Sequence, residues 1–201
     1  MKNRDFIITS LQPWDIEIGS TIKNTALEIS KNNRVLYINT PMDYSTRLRG
    51  NKNKAWTRRM DVIKKQVSPI RQINEHMWIA DCPFCVLPVG GLPTTCLFDW
   101  INRINNRKIA DYIHQITAQL NFNNYIHLID TDIYRSQYLK EYLTPSLSIY
   151  YCRDFVIGES YWKKNGVRLE PLLAAKSDIV LANSTHFAER FRQYNRHTFS
   201  I

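Results

Sequence analysis

Short apolar runs, each ending at a polar cluster, recur through the second half of this chain and constrain its fold more than any other feature. Tyr125–Ile129, Leu147–Tyr151 and Ile179–Ala182 are brief, rich in β-branched or aromatic residues, and not interrupted by polar alternation. Strands buried on both faces of a parallel sheet read this way. Helical spacing fills the gaps at Tyr134–Tyr142, Arg168–Lys176 and Ser184–Tyr194, and Thr198–Ile201 begins another strand. The first half repeats the unit. Phe6–Leu11 predicts a strand, Gly19-Ser20 opens a helix with Ile22, Ala26 and Ile29 on one face, and Val35–Ile38 predicts the next strand. Ile70–Ile73 and Met77–Ala80 read as strands around an Asn74-Glu75-His76 turn, and Leu97 to Leu120 as one long amphipathic helix. The prediction is a single α/β domain over residues 1–201, with a doubly wound, mostly parallel, Rossmann-like sheet.

In such sheets ligands bind beyond the carboxyl ends of the strands, so the loops there are where chemistry is sought. Trp14, Asp15 and Glu17 follow the first strand, with Gly19 and Ser20 at the start of its helix. No G-x-G-x-x-G accompanies them, which argues against an ordinary NAD or FAD domain. Asp130-Thr131-Asp132, Cys152-Arg153-Asp154 and Asn183-Ser184-Thr185-His186 follow three later strands. Carboxylates at such positions hold hydroxyl groups or accept a proton from an attacking hydroxyl. Arg153 and Asp154 equally suit a structural pair, Ser184 a helix cap, and His186 plain surface.

Residues 42–66 break the alternation. They hold eight basic residues, among them Arg58, Arg59, Lys64 and Lys65, against two acidic ones, and so contain most of the chain's net charge of +9. A basic, partly helical insertion carrying Trp56 suits an anionic membrane surface; a solvated, mobile loop fits the composition equally. No nucleic-acid motif accompanies the charge, so nucleic acid is disfavoured as a partner. The Cys82-Pro-Phe-Cys85 stretch, followed by apolar Val86-Leu87, lacks the second ligand pair that zinc requires and the strand-to-helix setting of a redox pair. Reduced, mostly buried thiols are expected, with neither metal nor cofactor. Six apolar residues near the N-terminus are too few for a signal peptide, and no stretch approaches a membrane span. These features predict a cytoplasmic protein, with a peripheral contact on the inner face of the membrane if the basic insertion docks there.

The strings L-Q-P-W-D-I-E-I-G-S, F-D-W-I-N-R-I-N-N-R-K, S-I-Y-Y-C-R-D and R-L-E-P-L-L-A-A-K-S-D-I-V-L-A-N-S resemble the N-terminal half of bacterial GT-B glycosyltransferases of the group 1, family 4-like type. The resemblance leaves out the basic insertion and the Cys-Pro-Phe-Cys segment. It implies an acceptor-side domain of a hexosyltransferase-type enzyme, which moves a sugar from a nucleotide-sugar donor to a cell-surface glycan or lipid-linked acceptor. It also implies that the donor-binding domain is absent from this chain, which would then be inactive alone. By position, Asp130 and Asp132 fall beside the reacting sugar, and Trp14, Asp15, Glu17, Arg153 and Asp154 face the acceptor. Gly19 and Ser20 approach the donor phosphates, although the Gly-Gly pair common in that first loop is missing. A non-catalytic membrane-associated partner module, or half of a nucleotide-sugar epimerase, are the alternatives on the same fold.

Overall fold

The computed structural model describes residues 1–15, 19–51 and 53–201. Its main sheet has eight strands. In chain order they are β1 (Asp5–Ser10), β2 (Arg34–Ile38), β4 (Ile70–Asn74), β5 (Met77–Ala80), β7 (Ile126–Asp130), β8 (Leu147–Cys152), β9 (Ile179–Ala182) and β10 (Thr198–Ser200). Two further strands, β3 (Met42–Asp43) and β6 (Cys85–Val86), pair with each other in a small parallel ribbon. The spatial order is β10-β9-β8-β7-β1-β2-β5-β4, and only the β4–β5 edge pair is antiparallel. Taken alone, the parallel strands run 3-2-1-4-5-6-7, so the topology reverses direction between β1 and β7. That is the Rossmann-like switch point, where the loops leaving two neighbouring strands diverge and open a crevice.

Seven α-helices are described: α1 (Thr21–Ser30), α2 (Tyr44–Arg49), α3 (Lys54–Ile63), α4 (Thr95–Gln119), α5 (Leu139–Leu143), α6 (Ser160–Lys176) and α7 (Thr185–Arg192). Ile22 and Ala26 of α1 pack on Phe6, Ile8, Val35, Tyr37 and Leu128 on one face of the sheet. Ile109, Ile113 and Ile116 of α4 meet Ile7, Leu36 and Ile38 on the other. α6 and α7 extend that second layer with Leu169, Leu173 and Phe191 against Ile129, Tyr150 and Val180. Each fully buried Ile or Leu here contributes about 1.5–3 kcal/mol before chain entropy is counted. The α1 face is less completely covered. Ile149, Ile179, Leu181 and Phe199 share that face by register; the first three are half-buried and Phe199 is 52 % exposed.

Two sequence expectations are corrected. Residues 134–142 do not form one helix, because asparagines on α4 take the backbone groups it would use. Asn102 and Asn106 donate to the Tyr134 carbonyl at 2.9 and 3.0 Å, and Asn106 accepts from the Tyr138 amide at 2.9 Å. Only α5 remains helical. The 42–66 insertion is not a loose loop: Asp43 caps α2, Asn53 caps α3, and Met60 packs with Met42 and Cys85. It sits as a lobe above the carboxyl rim. No described helix is long and apolar enough to cross a membrane.

Candidate functional site

The switch point is built from the ends of β1, β7 and β8. Ser10 and Asp130 are register partners, and the Ser10 hydroxyl donates to Asp130 Oδ2 at 2.6 Å. Arg153, just past β8, donates from Nε to Asp130 Oδ1 at 3.1 Å and from Nη2 to Oδ2 at 3.4 Å. The same Nη2 reaches Gln12 Oε1 at 3.2 Å, and Ser20 donates to that oxygen at 2.5 Å. Ser20 stands at the N-cap of α1 but its side chain makes no capping hydrogen bond; it turns to Gln12 instead. Asp130 is fully buried. Burial lifts its carboxyl above the usual range, while the Ser10 hydroxyl and Arg153 pull it back. Its two oxygens are thus engaged in fixing the first loop. Asp154 lies 3.4 Å from Arg153 Nη2, but its side chain is 56 % exposed at the crevice mouth.

Between the two sequence-predicted acids, Thr131 is buried with φ of 58°. A β-branched residue in the left-handed region is strained, and its surroundings must hold it there. Its amide donates to the Tyr151 carbonyl at 3.0 Å, and its hydroxyl accepts from the Arg153 amide at 3.2 Å. The turn brings Asp132 to a small cavity lined by Thr9, Asn39, Thr40, Arg135 and Ser136. Asp132 is buried, which raises its pKa; Arg135, with Nη1 at 3.7 Å, opposes the shift. Compared with Asp130 it makes fewer contacts. Beneath the cavity, Thr9 Oγ1 lies 2.9 Å from both Ser136 Oγ and His127 Nε2.

A second polar cluster lies at the ends of β2 and β5. Asn39 donates to Asp15 Oδ2 at 2.9 Å and to Asp81 Oδ1 at 2.6 Å, and accepts from the Trp14 amide at 2.7 Å. Arg71 pairs with Asp15, and Arg58 Nε donates to Asp81 Oδ2 at 2.8 Å. Trp14 meets Tyr37 edge-on, with ring centroids 5.4 Å apart. Asp15 and Asp130 therefore stand at neighbouring strand ends but in separate hydrogen-bond networks. Asn39, Asp81 and Arg71 are absent from the sequence-based candidates. Asn39 and Asp81 follow β2 and β5 directly, so the strand-end rule that singled out Asp130 would have found them.

A cavity of about 520 Å³ lies under the α2–α3 lobe. Pro13, Asp15, Met42, Trp56 and Arg59 are among its walls. The geometry also revises the four cations expected at a membrane. Arg58 turns to Asp81, a carboxylate that needs a counter-charge, and Arg59 points inward, while Lys64 and Lys65 stay exposed. Gly19 is exposed beside the N-terminus of α1, Ser184 caps α7, and His186 is surface. Glu17 lies outside the described residues.

Fold and rim together define a Rossmann-like α/β domain whose switch-point crevice carries acids, amides and arginines in place of a glycine-rich turn. No protein-family model matches the chain, and a search of curated proteins finds no match.

Proposed function

We propose that the chain is the acceptor-side domain of a GT-B-type glycosyltransferase, with the acceptor sugar in the switch-point crevice. The observation that carries the reading is Asp132: a buried carboxyl with a raised pKa, presented by a strained turn at the β7 end beside a small cavity of about 10 Å³. Such a group suits a general base for an acceptor hydroxyl. As the hydroxyl oxygen attacks the anomeric carbon, Asp132 takes its proton, and the nucleotide phosphate leaves with the bonding electrons. Asp130 and Arg153 fix the crevice wall and act as positioning residues; Trp14, Asp15 and Asp154 border the acceptor path. The reading gives the nucleotide sugar to a donor-binding domain, in the same polypeptide or in a partner chain. The half-covered apolar patch at Ile149, Ile179, Leu181 and Phe199 is the kind of surface a further domain or chain covers.

Membrane contact belongs to the same proposal, in revised form. On α2, Leu48 is 86 % exposed between Arg47 and Arg49, and Lys64 and Lys65 are exposed at the C-terminal end of α3, so the lobe offers an apolar side chain and cations to a membrane surface.

Isotope-labelled residues 1–201, titrated with short oligosaccharides and with nucleotide sugars, test the acceptor assignment. Glycans are expected to shift the amides of Gln12, Thr131, Asp132 and Arg153, while nucleotide sugars bind weakly. Micromolar nucleotide-sugar binding in the crevice, with no glycan response, would overturn the reading.

A further inference from the structure

Arg59 occupies an unusual position for a surface-lobe arginine. On α3 it falls within the inward stripe of Trp56, Met60 and Ile63, at spacings of three and four residues. Its Nε and Nη2 are buried and meet no acceptor, and the Trp56 Nε1, one turn earlier on the same helix, is buried and unmet as well. Arg59 and Trp56 both line the 520 Å³ cavity. The neighbouring arginines are differently placed. Arg58 and Arg71 are ion-paired to Asp81 and Asp15, and Arg135 to Asp132, so that although Arg71 Nε and Arg135 Nη1 also meet no acceptor, each of these side chains has a carboxylate beside it. Among the described residues no carboxylate lies within ion-pairing distance of Arg59. Burial lowers the Arg59 pKa, Asp81 and Asp15 oppose that at longer range, and Arg135 adds like-charge repulsion.

Buried donors without acceptors are costly, so a fold retains them where something else supplies the acceptor. The atoms left without acceptors define what that is. Nε and Nη2 form the edge of a guanidinium that grips two oxygens of one anion at once. A third donor from the indole suits an anion with a third oxygen, which a tetrahedral phosphate has and a planar carboxylate lacks. Lys54 adds positive charge at the wall, and among the described residues the one carboxylate lining it, Asp15, is already held by Arg71 and Asn39. The cavity exceeds the size of a phosphate group, and Pro13, Met42 and Ala55 offer apolar contact to what the phosphate is attached to.

We propose that the cavity under α3 is a phosphate-binding site, with the Arg59 guanidinium as the principal ligand and the Trp56 indole N–H as a second donor. The site adjoins the acceptor path through Asp15, which lines both, and it does not depend on the transferase reading. The chemistry recognised is a phosphate ester, free or at the head of a lipid.

The test is calorimetric titration of residues 1–201 with inorganic phosphate and phenyl phosphate, and co-sedimentation with vesicles containing phosphatidic acid. Saturable binding is expected in at least one arm. Arg59→Gln should weaken it about tenfold or more, as loss of a charge-assisted bidentate contact does. Trp56→Phe, which keeps the ring and removes the donor, should weaken it several-fold. A double change of Lys64 and Lys65 to Gln should leave soluble-ligand binding within about twofold, because exposed charges act only through screened solvent. Tight phenyl phosphate binding assigns a free ester. Arg59-dependent binding confined to vesicles assigns a lipid headgroup. Without ligand, Arg59→Met should melt at or above the wild-type temperature, since it removes buried unmet donors. The proposal is overturned if no probe binds, if Arg59→Gln binds like wild type, or if the lysine variant loses as much soluble phosphate binding as Arg59→Gln.

Discussion

His127 makes the fold acid-sensitive in a way that can be worked out in advance. It sits fully buried in β7, below the candidate catalytic cavity, with Nε2 near Thr9 Oγ1 and no partner at Nδ1. Burial disfavours the imidazolium and depresses its pKa to about 3, against about 6.5 for an unperturbed histidine. The unfolded chain therefore binds a proton between these values that the folded chain refuses. This contribution to stability is intact above pH 6.5 and is lost progressively as pH falls towards 3. At pH 5 the loss is about 2 kcal/mol, from a slope of about 1.4 kcal/mol per pH unit. Asp130 and Asp132 work in the opposite sense. Their raised folded pKa values make the folded state the better proton acceptor, so acid relieves their burial in wild type and variant alike. Comparison with His127→Gln isolates the histidine. Urea unfolding at pH 7 and pH 5 should show wild type losing about 2 kcal/mol more than the variant, or about 4–8 °C in Tm for a domain of this size. Equal pH dependence in both proteins, or an NMR titration of the His127 ring near pH 6.5, would refute the reasoning.

The two rim acids should separate under neutralisation. In the active assembly Asp132→Asn is expected to lower turnover by about 10²–10⁴ with a smaller melting loss than Asp130→Asn, because Arg135 Nη1 stands 3.7 Å from Asp132 whereas Arg153 donates directly to both oxygens of Asp130. Thermal melts alongside a transfer assay check both, and a melting loss for Asp132→Asn with normal turnover would assign it a structural role. Gly166→Ala should destabilise by about 1–3 kcal/mol in spite of its gain in helix propensity, because the new methyl would sit 2.8 Å from Ile133 Cδ1 and 3.0 Å from Ile157 Cγ2. Denaturant titration measures it. Leu48→Glu combined with Lys64→Glu and Lys65→Glu should abolish binding to anionic vesicles, and wild-type binding should fall steeply with salt. Equal wild-type binding to neutral vesicles would contradict the membrane contact.

The sheet was legible in the sequence because a parallel strand buried on both faces leaves an uninterrupted apolar run, and the polar residue ending it marks the rim. Asp130, Asp132 and Arg153 follow from that rule alone. The pairing was not legible: Arg153 serves Asp130 more closely than its sequence neighbour Asp154, and only the strand order brings β7 and β8 ends together. The partly helical character of the lobe was legible, but its charge obscured which cations face inward. Its apolar stripe, Trp56, Met60 and Ile63, already places Arg59 on the inner face, and net charge hides that spacing. The start of α6 at Ser160, ahead of the expected Arg168, was obscured by Gly166 and Pro171, which tertiary packing tolerates within the helix.

The central claim is tested most directly by sugar transfer from labelled nucleotide sugars to a membrane extract. Three samples are compared: the assembly that contains this domain and its donor-binding domain, the same assembly with Asp132→Asn, and residues 1–201 alone. The proposed division of labour requires transfer by the first, a loss of about a hundredfold or more in the second, and none by the third. Robust transfer by residues 1–201, or wild-type transfer by the Asp132→Asn assembly, would contradict it.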